Sequence, residues 1–291
     1  FLGGSATNVA VAAARYDRRT AVVTRTGADP FGVYVHRALA EFGVDDRWVS
    51  EVAAYPTPVT FCEIFPPDHF PIYFYRYPKA PDLEINVDEL DLDAIRAAGV
   101  FWTTGTGLSE EPSRSATLAA LAAREHRPHT VHDLDHRPMF WASVEDAGRW
   151  QRAALGHATV AVGNLEEVEV AVGTKDPDAA ADALLDLGVE IAVVKQGPRG
   201  VLGRTRTESV VVPPVPVDVV NGLGAGDAFG GALAHGLLAG WSLDRTLRFA
   251  NAAGALVASR LACSAAMPYA EDVLALLDER ADGPTAEARR A

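Results

Sequence analysis

Apolar residues recur at helical spacing through Thr7–Tyr16, which predicts a buried Ala/Val-rich helix. The run AVVTRTG (21–27) is short and β-rich, and Asp29-Pro30 then places an N-cap before a proline at the first helical position, predicting a helix to about Phe42. From about Asp45 the texture changes. VTFCEIF (59–65) and PIYFYRY (71–77) are β-branched and aromatic and are separated by PPDHF, so they predict a hairpin. The division that follows is a β lid insertion over 45–83 within an α/β domain of 1–44 and 84–291.

After Asp91 a regular alternation sets in. Strands are predicted at VFWTTG (100–105), TVHDLD (130–135), TVAVG (159–163) and EIAVVKQG (190–197), with helices over about 112–127, from about Val144, and over 165–172. Two further β-rich runs, VLGRTR and ESVVVPPVPV, come before a glycine-rich helix, and helices follow over Leu243–Ser259 and Ala270–Arg280. Strands alternating with helices predict an α/β fold with a mostly parallel sheet covered on both faces. The charged tail from Arg280 is expected to fray.

Composition narrows the function more than the fold. With 39 acidic against 26 basic residues the formal charge is -13, which argues against nucleic acid as partner, though local arginines still allow an anionic small substrate. Two cysteines, Cys62 and Cys263, make no disulfide framework and fit a reducing, cytoplasmic setting. No apolar run reaches the roughly 18 residues of a spanning helix.

The chemistry centres on NGLGAGDAFGGALAHGLLAG (221–240). A helix N-terminus carries unpaired N–H groups and partial positive charge, and glycines there let an anion approach the backbone. GLGAG thus reads as an anion cradle from the amides of Ala225, Gly226 and Asp227, beginning at Gly224, with Asp227 placed to take a proton from an attacking hydroxyl. The alternative is that the small residues pack this helix closely on the sheet and Asp227 is an ordinary first-turn acid. The GxxxxGK[ST] spacing of a P-loop is absent.

GLGAGDAFGGAL resembles the C-terminal signature of the ribokinase-like (PfkB) carbohydrate kinases, and the likeness extends over essentially the whole chain. FLGGSATNVAVAAARYD is similar to the family's N-terminal signature, which implies that Gly3, Gly4 and Asn8 face the sugar. VGNLEEVEVAVG is similar to its NxxE motif, KQGPRG to its nucleotide-side turn, and FANAAGALVASR to its adenine-side segment. The resemblance implies a three-layer α/β/α sandwich with a small lid and an ATP-dependent kinase with Asp227 as base. It further implies nucleotide contacts from Asn164, Lys195, Gly197, Gly200 and Asn251, and Glu167 holding Mg2+ through water. N-x-x-E is equally a helix capping box, and both roles are compatible.

Two departures carry their own expectations. Asn221-Gly222 stands where the family usually has Asp-Thr, a pair that helps hold a monovalent cation, so activation by such a cation is in doubt. The family's first strand, with its sugar-binding aspartate, has no counterpart before Phe1, so a preceding segment is expected.

The acceptor rests on other residues. Arg76 follows the aromatic strand of the lid, and Arg137 lies just past a strand's C-terminal end, where ligands of parallel sheets bind. Two converging guanidinium groups suit a carboxylate, although either arginine alone reads more readily as a surface ion pair than as a ligand. YFYRYPKAPDL and DLDHRPMFW resemble segments of the family's sugar-acid kinases, which implies substrate contacts from Tyr75, Arg76, Asp135 and Arg137. His132 and His136 lie about 13 Å apart if both are on a strand, a poor start for a metal site. A silent sugar-acid-binding protein and a nucleoside kinase are the competing readings. The aromatic edge at 71–77 leaves a homodimer through the lid strands as one remedy for exposure.

Overall fold

The computed structural model describes residues 1–287, and its strands are short valine-rich runs whose alternate residues point to opposite faces. In chain order the elements are α1 (Ser5–Ala14), β1 (Thr20–Gly27), α2 (Pro30–Glu41), β2 (Val44–Val52), β3 (Val59–Cys62), β4 (Ile72–Tyr75), α3 (Leu92–Ala97), β5 (Phe101–Thr104), α4 (Ser113–Ala123) and β6 (Thr130–Asp133). They continue with α5 (Val144–Leu155), β7 (Val160–Asn164), α6 (Leu165–Val172), α7 (Pro177–Asp186), β8 (Ile191–Lys195), β9 (Val201–Arg204), β10 (Ser209–Val212), α8 (Ala225–Leu238), α9 (Leu243–Ala258) and α10 (Ala270–Glu287). Among the described residues no helix is long and apolar enough to cross a membrane.

The central sheet has six strands in the order β10-β9-β8-β7-β6-β5. Pairing is parallel from β5 through β8 and antiparallel for β9 and β10. Its two faces are told apart residue by residue. Val160, Val162 and Val193 pack against Phe229, Leu233 and Leu247 of α8 and α9. The intervening Ala161, Ala192 and Val194 face Val168, Ala181 and Leu184 of α6 and α7. That alternation makes three layers, each fully buried Val or Leu contributing about 1.5–3 kcal/mol.

Three details differ from the sequence reading. Helix α7, with Asp176 capping Ala179 N at 2.8 Å, fills the stretch between the helix at 165–172 and the next strand. Helix α10 runs to Glu287, past the expected fraying point at Arg280. The boundary at residue 45 falls inside β2, which pairs in parallel with β1, so only β3 and β4 form the projecting antiparallel hairpin.

The β1–β2 pair is not hydrogen-bonded to the central sheet. A cavity of about 2360 Å³ runs between Thr20–Thr26 on β1 and Val100–Thr104 at β5, and continues under the hairpin. Helix α1 bridges this space by packing on α8. Glycine permits the close approach: a Cβ at Gly231 would lie 2.3 Å from Ala12 Cβ, and one at Gly230 would lie 2.9 Å from the Trp102 ring. Ser5, Asn8 and Ala12 share one face of α1 at i, i+3 and i+7, so this packing brings the first two onto the start of α8.

Candidate active site

The start of α8 is built by Gly224, whose φ of 83° is the left-handed conformation that favours glycine. A Cβ there would also press on Cys263, 3.1 Å from its Cβ. Among the described residues, no backbone or side-chain acceptor takes the amides of Gly226 and Asp227. The Ala225 amide, expected to join them, turns back toward Gly222 O at 3.4 Å. A Cβ at Gly226 would meet only Lys195 Nζ, at 3.5 Å. The glycines of this helix therefore divide: Gly230 and Gly231 serve packing, whereas Gly226 borders open space beside a cation.

Asp227 stands at that edge with both oxygens held. Ser5 Oγ donates to Oδ1 at 3.0 Å and Asn8 Nδ2 donates to Oδ2 at 2.7 Å. Burial raises its pKa above the usual carboxylate value, while the Asn8 and Ser5 hydrogen bonds and the charges of Lys195 and Arg137 pull it down without cancelling the rise. Each oxygen keeps a second lone pair, so a proton can still be accepted.

Around it the strand ends converge, as the parallel topology requires. Asp133 closes β6, and burial pushes its carboxyl well up despite the opposing charge of Lys195. Asp135 is likewise raised by burial, against the pull of Arg137, whose Nη2 lies 2.9 Å from its Oδ1. Lys195 closes β8. Burial works against its charge, but Asp133, Glu167, Asp227 and Asp135 together outweigh that and hold it protonated. Arg137 is held charged in the same way.

One cleft gathers Gly3, Gly4, Asn8, Arg76, Asp135 and Arg137. Gly224 and Asp227 line it too. Gly3 has nothing within 4 Å of a would-be Cβ, and Gly4 has φ +95°. Two substrate-side residues are placed differently from the others. Tyr75 faces outward and is 64% exposed, packed edge-on against Phe61, because strand alternation gives the inward places to Ile72 and Phe74. Asn8 lines the cleft but is only 4% exposed; its Nδ2 donates to Asp227 and its Oδ1 accepts from Ser264 Oγ, so it also holds the carboxylate. Arg76 reaches the cleft paired to Asp82 at 2.7 Å, its guanidinium 4.9 Å from the centre of the Phe140 ring.

The residues expected on the nucleotide side lie outside that cleft. Asn164 and Glu167 form a reciprocal capping box: Asn164 N donates to Glu167 Oε2 at 2.7 Å, and Glu167 N donates to Asn164 Oδ1 at 2.9 Å. The other Glu167 carboxylate oxygen lies outside this box. Gly200 has a packing cause, since a Cβ there would lie 2.0 Å from Val212 O, whereas the space at Gly197 is open. Asn251 Nδ2 donates to Pro213 O at 2.7 Å. His132 is a core residue: Gln151 gives its amide hydrogen to Leu134 O, so Oε1 accepts from His132 Nε2 at 2.6 Å, and burial lowers the ring pKa to about 4. Ser5, absent from the sequence reading, touches Asp227 directly; its place one turn before Asn8 on a helix was the available signal.

The site fits a nucleotide and a hard cation. The free amides and Lys195 beside Gly226 suit a phosphoryl group. Carboxylates suit Mg2+ held through water, and among the described residues no three acidic, His or Cys side chains form a direct ligand set.

A sequence model of the pfkB family of carbohydrate kinases matches residues 1–270. The 5-dehydro-2-deoxygluconokinase of Shouchella clausii (strain KSM-K16) is 31% identical over 285 residues, covering 96% of this chain and 87% of that protein. The protein of the same name from Geobacillus kaustophilus (strain HTA426) is 30% identical over 293 residues, covering 98% and 87%. Among solved structures, the fructokinase of Xylella fastidiosa with bound ATP is similar at a TM-score of 0.86 and 26% identity, over 96% of this chain and 91% of that one. A fructokinase double mutant from Vibrio cholerae O395, in its fructose-, ADP- and potassium-bound form, has a TM-score of 0.83 and 26% identity over 94% and 90%.

Proposed function

Because this chain belongs to the pfkB family of carbohydrate kinases, we propose that it transfers the terminal phosphoryl group of ATP to the primary hydroxyl of a sugar acid, 5-dehydro-2-deoxy-D-gluconate, giving the 6-phosphate in inositol catabolism. The observation that carries the acceptor is the cleft itself: Arg76 and Arg137 line the same space as Asp227, in a chain of net charge -13. A carboxylate bound between the guanidinium groups directs the far hydroxyl toward Asp227.

The chain's residues then divide the work. Asp227, held by Ser5 and Asn8, takes the hydroxyl proton as the oxygen attacks. The amides of Gly226 and Asp227 and the ammonium of Lys195 stabilise charge on the transferring group. Mg2+, when bound through water to Glu167, neutralises the phosphate oxygens and leaves the leaving group less basic. The β3–β4 hairpin acts as a lid over the cleft.

Arg76→Ala tests the acceptor. A charge-assisted hydrogen bond contributes about 1.5–3 kcal/mol, so kcat/KM for the sugar acid is expected to fall about ten- to a hundredfold, while a neutral analogue, already poor, changes little. Arg76→Lys recovers part of the loss, since an ammonium lacks the planar fork. Equal losses on both substrates would mean that Arg76 serves the lid through Asp82, and preference for fructose or ribose would end the acceptor assignment.

The monovalent cation is expected to be dispensable. Asn221 Nδ2 donates to Leu261 O at 2.8 Å and its Oδ1 accepts from Leu223 N at 3.1 Å, so the side chain ties the phosphate loop by itself. Turnover should be the same in potassium and choline salts. Asn221→Asp turns a carboxylate oxygen toward Leu261 O and should create a partial dependence on potassium; strong potassium activation of the wild type would refute the assignment.

The outer hairpin face exposes Phe61, Tyr73 and Tyr75, an apolar strip suited to covering by a second copy of the chain. Sedimentation should give a dimer, and a monomer at every concentration tested would exclude it.

A further inference from the structure

The alternation of the hairpin places Cys62 and Ile64 on its cleft side with Ile72, Phe74 and Arg76. Phe70 continues that row two residues before Ile72 and is half-buried. Its ring reaches beyond the cleft to Gly222, where a Cβ would come within 3.1 Å of the ring's Cε2 and 3.2 Å of its Cδ2. Gly222 is absent from the glycines with positive φ, so the backbone does not require glycine there. The ring does. On the other side Gly222 O faces the Ala225 amide at the start of α8, and its neighbour Asn221 is tied to Leu261 and Leu223. The contact thus joins the tip of the hairpin to the loop that carries the anion-binding amides.

We propose that Phe70 is a positioning residue: its ring, seated on the Cα of Gly222, latches the hairpin onto the phosphate loop and so commits the phosphoryl group to the acceptor hydroxyl rather than to water. This rests on the kinase reading above. With the latch open, water attacks the γ-phosphorus in place of the sugar hydroxyl. The bond from that phosphorus to the ADP oxygen breaks, the water's proton passes to Asp227, and the products are ADP and inorganic phosphate. Closure that excludes water is the general means by which transferases suppress this leak.

The test uses Phe70→Ala, Phe70→Leu, Gly222→Ala and Gly222→Thr in the full chain, following ADP release and phosphorylated acceptor separately. Phe70→Ala should lower kcat for transfer about ten- to a hundredfold and raise ADP released per sugar phosphorylated, with KM for ATP and the melting temperature near wild type. Phe70→Leu should restore part of the coupling. Gly222→Thr should reproduce the uncoupling with Phe70 intact, Gly222→Ala giving a milder form should the threonine variant fail to fold. The double variant should be no worse than the stronger single one, because both break one contact. Amide hydrogen exchange over residues 59–75 should accelerate in each variant whatever the acceptor. Wild-type coupling with wild-type exchange in Phe70→Ala, or losses that multiply in the double variant, would overturn the latch. No transfer to any sugar acid by the wild type, with faster exchange in the variants, would instead remove the acceptor assignment and leave the latch standing.

Discussion

Asp227→Asn is expected to lower kcat by about 10²–10⁴-fold with acceptor binding largely kept. The substitution suits the site. An asparagine oxygen still accepts from Asn8 Nδ2, and its amide then faces Ser5 Oγ, which can turn to accept instead of donate. What is lost is the proton acceptor. The pH profile gives a second reading of the same group. Asp227 works ionised, and burial raises its pKa, so turnover falls as pH drops through that raised value. Ser5→Ala removes a hydrogen bond to the ionised form, which raises the pKa further and moves the acid limb to higher pH. In Asp227→Asn this limb should vanish. Near wild-type turnover in that variant would refute the assignment of the base.

Gly226→Val is expected to abolish most transfer, by about 10²–10³-fold, the scale for depriving developing charge of one oxyanion-hole contact, because the side chain keeps the phosphoryl group away from the amides. Only Lys195 Nζ at 3.5 Å stands near the new Cβ, so the fold has little reason to suffer. The branched methyl groups occupy the space that the phosphoryl group needs. Gly231→Ala makes the contrast, since its Cβ would meet Ala12 Cβ at 2.3 Å and the loss should appear in melting temperature. If Gly226→Val loses stability and keeps transfer, the first turn of α8 is glycine-rich for packing alone.

Legibility in the sequence followed the range of the interactions concerned. Local rules reached far: Asp29 caps α2 by accepting from Gly32 N at 2.8 Å, and Asn164 with Glu167 caps α6. The α/β alternation and the family resemblance, which carries the fold, were both visible in the motifs. Phase was harder. IYFYR alternates nothing, since aromatics fill both faces of β4, and hydrophobicity therefore could not decide between Phe74 and Tyr75 for the inward place. Helix α7 was legible by the capping rule, since Asp176-Pro177 repeats the cap signal of α2 and Ala180, Ala181, Leu184 and Leu185 fall on one buried face. The role of Asn8 was out of reach for another reason: its partners Asp227 and Ser264 lie 219 and 256 positions away, and no spacing rule spans that distance.

That separation bears on how the enzyme comes into being. The Asp227 carboxylate sits toward one end of the chain and its two donors at the other, with the six-stranded sheet spun between them. No fragment lacking residues 1–8, and none lacking 221–227, can hold a carboxylate in this state. Closing a loop of more than two hundred residues costs only slowly increasing entropy, and the closure is made by α1 docking on α8. With Asp227 as the proposed base, chemical competence is a property of the finished topology: a nascent chain emerging from synthesis carries Gly3 and Gly4 long before it owns that carboxylate, and would not waste nucleotide until both ends have met.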